Sequence, residues 1–112
     1  MDIQELKTKW EAVTSRLADQ FEEAPDLQTI IFLIGVQELG KGPRKYSKDE
    51  KQDLMHIATC RLLSQYGYYI LEGKDQDGWP HWTMVKKLPP LTLREQDMLL
   101  KQAAIEYFEK EN

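Results

Sequence analysis

Leu27-Gln28-Thr29-Ile30-Ile31-Phe32-Leu33-Ile34-Gly35-Val36-Gln37-Glu38-Leu39-Gly40 is the stretch on which the fold turns. Its β-branched residues are dense enough for a buried strand over 29–34. The flanking Gln37, Glu38 and Leu39 and the terminal Gly40, a good left-handed cap, favour a helix instead. Read that way, a helix opens near Pro25 or Asp26 and is apolar almost all round, as the central helix of a core is. Gly35 within it marks a place where a neighbouring backbone comes close.

Outward from this element the patterns are amphipathic. Ile3, Leu6, Trp10, Val13 and Leu17 recur at spacings of three and four, with Phe21 a turn further on, and Asp2 with Glu5 resembles a capping box. Glu22-Glu23-Ala24-Pro25 closes that first helix, since proline cannot continue it. After the loop Gly40-Lys41-Gly42-Pro43-Arg44-Lys45-Tyr46, the pair Ser47 and Glu50 opens a third helix that should end at Gly67. Its expected buried face is Leu54, Ala58, Leu62 and Tyr66, broadened by Met55. From Tyr68 to Lys86, two aromatic and β-branched runs flank an Asp77-Gly78 turn, the signature of a β-hairpin. Beyond Pro89-Pro90, Thr92 and Glu95 cap a last helix, whose apolar side is Leu93, Leu99, Leu100, Ala103, Ala104, Ile105 and Phe108. The expectation is a single α+β domain, predominantly α. It has helices at about 2–23, 26–39, 47–66 and 92–109, with one hairpin at about 68–86 between the third and fourth.

Composition bounds the function classes. The 112 residues are 41% hydrophobic and 30% charged, a globular composition rather than a disordered one. Cys60 is the single cysteine, so no intrachain disulfide can form. The opening Met1-Asp2-Ile3-Gln4-Glu5 is acidic and amphipathic, unlike a secretory signal, and the run from Ile30 to Val36 is too short to span a bilayer. A cytoplasmic location without membrane association is the expectation. A net charge of −4 argues against a protein built mainly to wrap nucleic acid. The charge is uneven: residues 1–26 set Lys7, Lys9 and Arg16 against seven carboxylates, a net of −4, while residues 41–61 set six cations against Asp49, Glu50 and Asp53, a net of +3. Such a chain can steer a partner or pair with itself.

Residues 40–58, together with Asp77-Gly78-Trp79-Pro80-His81-Trp82, resemble blocks found in a family of small, uncharacterised bacterial proteins. The resemblance covers part of the chain and brings no activity, cofactor or catalytic residue.

Three groupings bear on chemistry. Asp49, Asp53, His56, Cys60 and Ser64 share one stripe of the third helix, and His56 and Cys60, four apart, can touch. They suit a metal or thiol site, but a closed zinc site needs further ligands and only His81 remains, so a polar helix face is the preferred reading. The preference of unpaired cysteine for burial hints that another element covers this stripe. Lys41, Arg44, Lys45 and Lys48 precede the start of the third helix, where an anion is favoured, yet no phosphate-cradling loop spacing is present and a solvated basic loop is preferred. Trp79, His81 and Trp82, with Tyr68 and Tyr69, concentrate aromatic surface in the hairpin, where bases can stack with Lys86 and Lys87 on the backbone, or rings can pack on the helices and meet a protein partner. The order of elements resembles a winged helix, but the third helix is long and its preceding loop lacks that motif's tight turn. Nucleophile, zinc-protease and dinucleotide motifs are absent, and neither a cofactor, a metal nor a catalytic residue is expected. The sequence therefore points to a non-enzymatic interaction module, self-associating as a homodimer or binding another protein. Its contacts run through Lys41, Arg44, Lys45, Lys48, Trp79, His81 and Trp82, with nucleic-acid or phosphorylated-ligand binding as the alternative and a Cys60–His56 site as the second.

Overall fold

A computed structural model describes residues 1–20 and 24–111 of the chain. Helices α1 (Ile3–Leu17), α2 (Leu27–Leu39) and α3 (Lys48–Ser64) come first, then strands β1 (Tyr69–Lys74) and β2 (Pro80–Met84), then α4 (Leu93–Glu111). The chain is α+β and predominantly α, with its hairpin between α3 and α4. The stretch 27–39 is helical, not a strand. A 3-10 turn at Ala18–Gln20 replaces the end of the first helix, and Phe21, Glu22 and Glu23, read from sequence as its continuation and close, lie outside the described residues. No helix among the described residues is long and apolar enough to cross a membrane.

Local chemistry sets the helix starts. Asp2 Oδ1 accepts from the Glu5 N–H at 2.8 Å and Asp26 Oδ1 from the Thr29 N–H at 2.9 Å. Ser47 and Glu50 exchange both bonds of a capping box at 3.1 and 2.9 Å, and Thr92 and Glu95 do the same at 3.1 and 3.0 Å. These bonds stabilise the ionised carboxylates and pull Asp26, Glu50 and Glu95 below the usual carboxylate range. At the far end of α3, the Tyr68 N–H donates to Leu63 and the Gly67 N–H to Ser64, with Gly67 at φ 82°, so the helix stops three residues before the glycine that reverses the chain.

The described chain falls into two compact units, Met1–Ile30 with Pro90–Asn112, and Ile31–Pro89. In the first, α1 packs on α4: Leu6, Val13 and Ile105 are buried, with Trp10, Leu17, Met98 and Phe108 packed around them. Ile3 and Leu93, counted by periodicity among the apolar stripes, are 61% and 83% exposed. Each is the first residue of its helix, a turn outside the packed segment that begins at Leu6 and Met98.

In the second unit, Leu39, Tyr46 and Leu54 form a buried cluster joined by Phe32, Val36 and Trp79. A Cβ on Gly35 would lie 2.3 Å from the Leu54 carbonyl oxygen, so α2 and α3 meet backbone to backbone there and only glycine fits. The hairpin is a two-stranded antiparallel ribbon, pairing Tyr69 with Met84, Ile70 with Thr83 and Leu71 with Trp82, and shifting register at Glu72 before Gly73 meets His81. Both strands pack against α3, which supplies the support a lone ribbon lacks.

Candidate functional site

The register divides the hairpin into two sides. Tyr69, Trp82 and Pro80, half-buried to buried, share one side, while Ile70, Thr83 and Val85 point the other way. On that second side Ile70 and Val85 are 50% and 52% exposed; Leu71 and Met84, paired with Trp82 and Tyr69 and so on the first side, are 51% and 50% exposed. Tyr68 is covered by its neighbour Lys86, whose ammonium sits 4.4 Å from the ring centroid.

On the α3 side the hairpin and helix enclose a cleft of about 470 Å³. Helix α3 contributes Glu50, Asp53, His56 and Ile57 to its wall. The hairpin contributes Asp75, Trp79, Pro80, His81 and Trp82. The turn that carries the hairpin half is held by Asp75, whose Oδ1 accepts from the Asp77 and Trp79 N–H groups at 2.9 and 3.0 Å while its Oδ2 meets His81 Nε2 at 3.0 Å. The His81 contact foremost, and then the backbone N–H groups, hold the Asp75 carboxyl below the usual carboxylate range, so the cleft keeps this negative charge. Trp79 both lines the cleft and packs on the Leu39, Tyr46 and Leu54 cluster, so it is a wall fixed from behind. Trp82 is half-buried, and its indole N–H is fully buried with no acceptor among the described residues.

The polar stripe read along the third helix divides. Asp49, Asp53 and His56 are exposed, Ser64 is half-buried, and Cys60 is completely buried. The hairpin, packed on α3, is the covering element that an unpaired cysteine called for. Cys60 Sγ lies 3.6 Å from His56 Nε2, but burial pushes its thiol up to about 11, the reverse of an activated thiolate. Asp53, His56 and His81 line the same cleft, and Cys60 is not part of its wall. Among the described residues no three Asp, Glu, His or Cys side chains converge as metal ligands.

The basic loop is only half available. Lys41 Nζ donates to the Asp77 carbonyl in the hairpin turn. Arg44 pairs with Glu50 at 3.0 Å and lies 4.7 Å over the ring of Tyr46, whose hydroxyl donates to the Gly42 carbonyl at 3.0 Å. Lys45 and Lys48 are exposed and form no ion pair among the described residues. Two of the four cations thus brace the loop.

Glu50 and Asp75 were missed as wall residues by sequence reasoning. The first was visible only as a capping residue, and the second only as part of a turn. Compared with known protein families, curated proteins and solved structures, the chain matches none.

Proposed function

We propose that this chain is a non-enzymatic, cytoplasmic interaction module that pairs with a second copy of itself through the hairpin side bearing Ile70 and Val85. The observation carrying this reading is the pair of half-exposed large apolar side chains, Ile70 and Val85, on the outer side of a ribbon only two strands wide whose other side leaves Leu71 and Met84 half-exposed as well. Scattered exposed leucines are ordinary on a protein surface, but four large apolar groups on neighbouring positions of one small ribbon are not. A second copy suits the surface because antiparallel strand edges are self-complementary about a two-fold axis. The opposed charges of residues 1–26 and 41–61 also make one chain electrostatically complementary to another.

The nucleic-acid or phosphate alternative is the weaker reading, because Lys41 and Arg44 are already engaged within the protein. The thiol alternative is weaker still with Cys60 buried and its thiol held protonated.

Sedimentation velocity over a wide concentration range tests the proposal. The expected result is a reversible monomer–dimer equilibrium weakened about tenfold or more by Ile70→Lys or Val85→Lys, which place like charges across the two-fold. A monomer at every concentration, or a dimer indifferent to both substitutions, overturns it.

A further inference from the structure

The cleft between α3 and the hairpin involves the side of the ribbon that bears Trp82, opposite Ile70 and Val85, and its chemistry is different. Two tryptophans give it flat aromatic walls, and the carboxylates of Glu50, Asp53 and Asp75 give it negative charge. Their availability differs. Glu50 is neutralised by Arg44, and Asp75 is held in the turn by His81 and two backbone N–H groups. Asp53 is exposed and makes no hydrogen bond or ion pair among the described residues, so it is the carboxylate left to meet an occupant. At about 470 Å³ the volume lies in the range of small-ligand pockets. The buried indole N–H of Trp82, on a residue of the same wall, has no acceptor among the described residues.

From this combination we infer that the cleft binds a guanidinium group, with Asp53 as its carboxylate partner and Trp79 as the aromatic face beneath it. A guanidinium fits better than an ammonium for two physical reasons. It is planar and stacks on an indole, and it is more weakly hydrated, so it gives up water to an aromatic wall more readily. Its fork of N–H donors also matches a carboxylate with two bonds at once.

Nuclear magnetic resonance titration of the full chain separates the outcomes, because the indole N–H signals of Trp79 and Trp82 are read apart from that of Trp10, which packs on the α1–α4 cluster. The probes are ethylguanidinium, free arginine and an end-capped Gly-Arg-Gly peptide, with glutamate and matched sodium chloride as controls. The inference expects saturable shifts of Trp79, Trp82 and the Asp53 and His56 amides with ethylguanidinium. It also expects an affinity about tenfold lower in Asp53→Asn and unchanged in Asp49→Asn, an exposed carboxylate of the same helix outside the cleft. Tighter binding of the peptide than of free arginine assigns the site to a protein partner's side chain, and the reverse assigns it to a free guanidinium metabolite. Shifts no larger than those from sodium chloride, or equal affinities for the two asparagine variants, overturn it.

Discussion

Helix α3 meets its two neighbours in opposite ways. Toward α2 it closes to backbone contact at Gly35, with Leu54 completely buried and Leu39, Tyr46 and Phe32 gathered around it. Toward the hairpin, which also packs on it, it leaves a polar and aromatic cleft of about 470 Å³, with Cys60 buried outside the cleft wall. Glycine and aliphatic side chains allow the first contact to close, while Glu50, Asp53 and His56 need hydration or partners and keep the second open. Stability is therefore concentrated on one flank of the helix and binding chemistry on the other.

The largest effect should come from filling the closed flank. Gly35→Ala gains roughly 1 kcal/mol of helix propensity but drives a methyl into the Leu54 carbonyl, and because backbone cannot yield as a side chain does, the net loss is about 3 kcal/mol. Urea denaturation will read it as a lower midpoint with an unchanged slope. A neutral Gly35→Ala would mean that α2 and α3 are not in backbone contact. Next comes the start of α3, common to both flanks: Ser47→Ala removes one half of the capping box and should cost about 1 kcal/mol in the same assay. On the open flank, Asp53→Asn should leave stability within about 0.5 kcal/mol of wild type, because the side chain is exposed and makes no bond to lose. A larger change would show that the cleft wall is structural.

Acid sharpens the contrast further. Asp75 is held below its ordinary value by His81 and the turn N–H groups, so its contribution to the hairpin is complete above the unfolded value of 3.8 and fades as pH falls through the lower folded one. Amide exchange at Gly78 and Trp79 should accelerate in that window before the α2–α3 contact loosens. The last expected signal is chemical and leaves stability untouched. With its thiol near 11 and no exposed surface, Cys60 should alkylate with iodoacetamide at pH 8 far more slowly in the folded protein than in urea, as mass spectrometry will show.

The helix starts, the turns and one feature of the closed flank were legible in sequence, because their causes are local. The Ser47–Glu50 and Thr92–Glu95 boxes, the glycine after α2, the Asp77-Gly78 turn and the demand at Gly35 for a close neighbour each depend on a few adjacent residues. The open flank was legible only in part. Spacing placed Asp53, His56 and Cys60 on one stripe, but whether that stripe faced water or protein depended on the hairpin packing across it, a contact between residues far apart in the chain. The same holds for Lys41 and Arg44, read as free cations until their partners Asp77 and Glu50 were seen. Ile3 and Leu93 fit the helical period, yet period says which side a residue is on and nothing about where along the helix packing begins.

The most direct test of the division is a dilution series followed by two-dimensional amide resonance. If association runs through the outer side of the hairpin, signals of residues 68–71 and 83–86 move with protein concentration while those around Gly35 and Leu54 stay fixed. Concentration-independent spectra, or movements centred on the α2–α3 contact, would contradict the account.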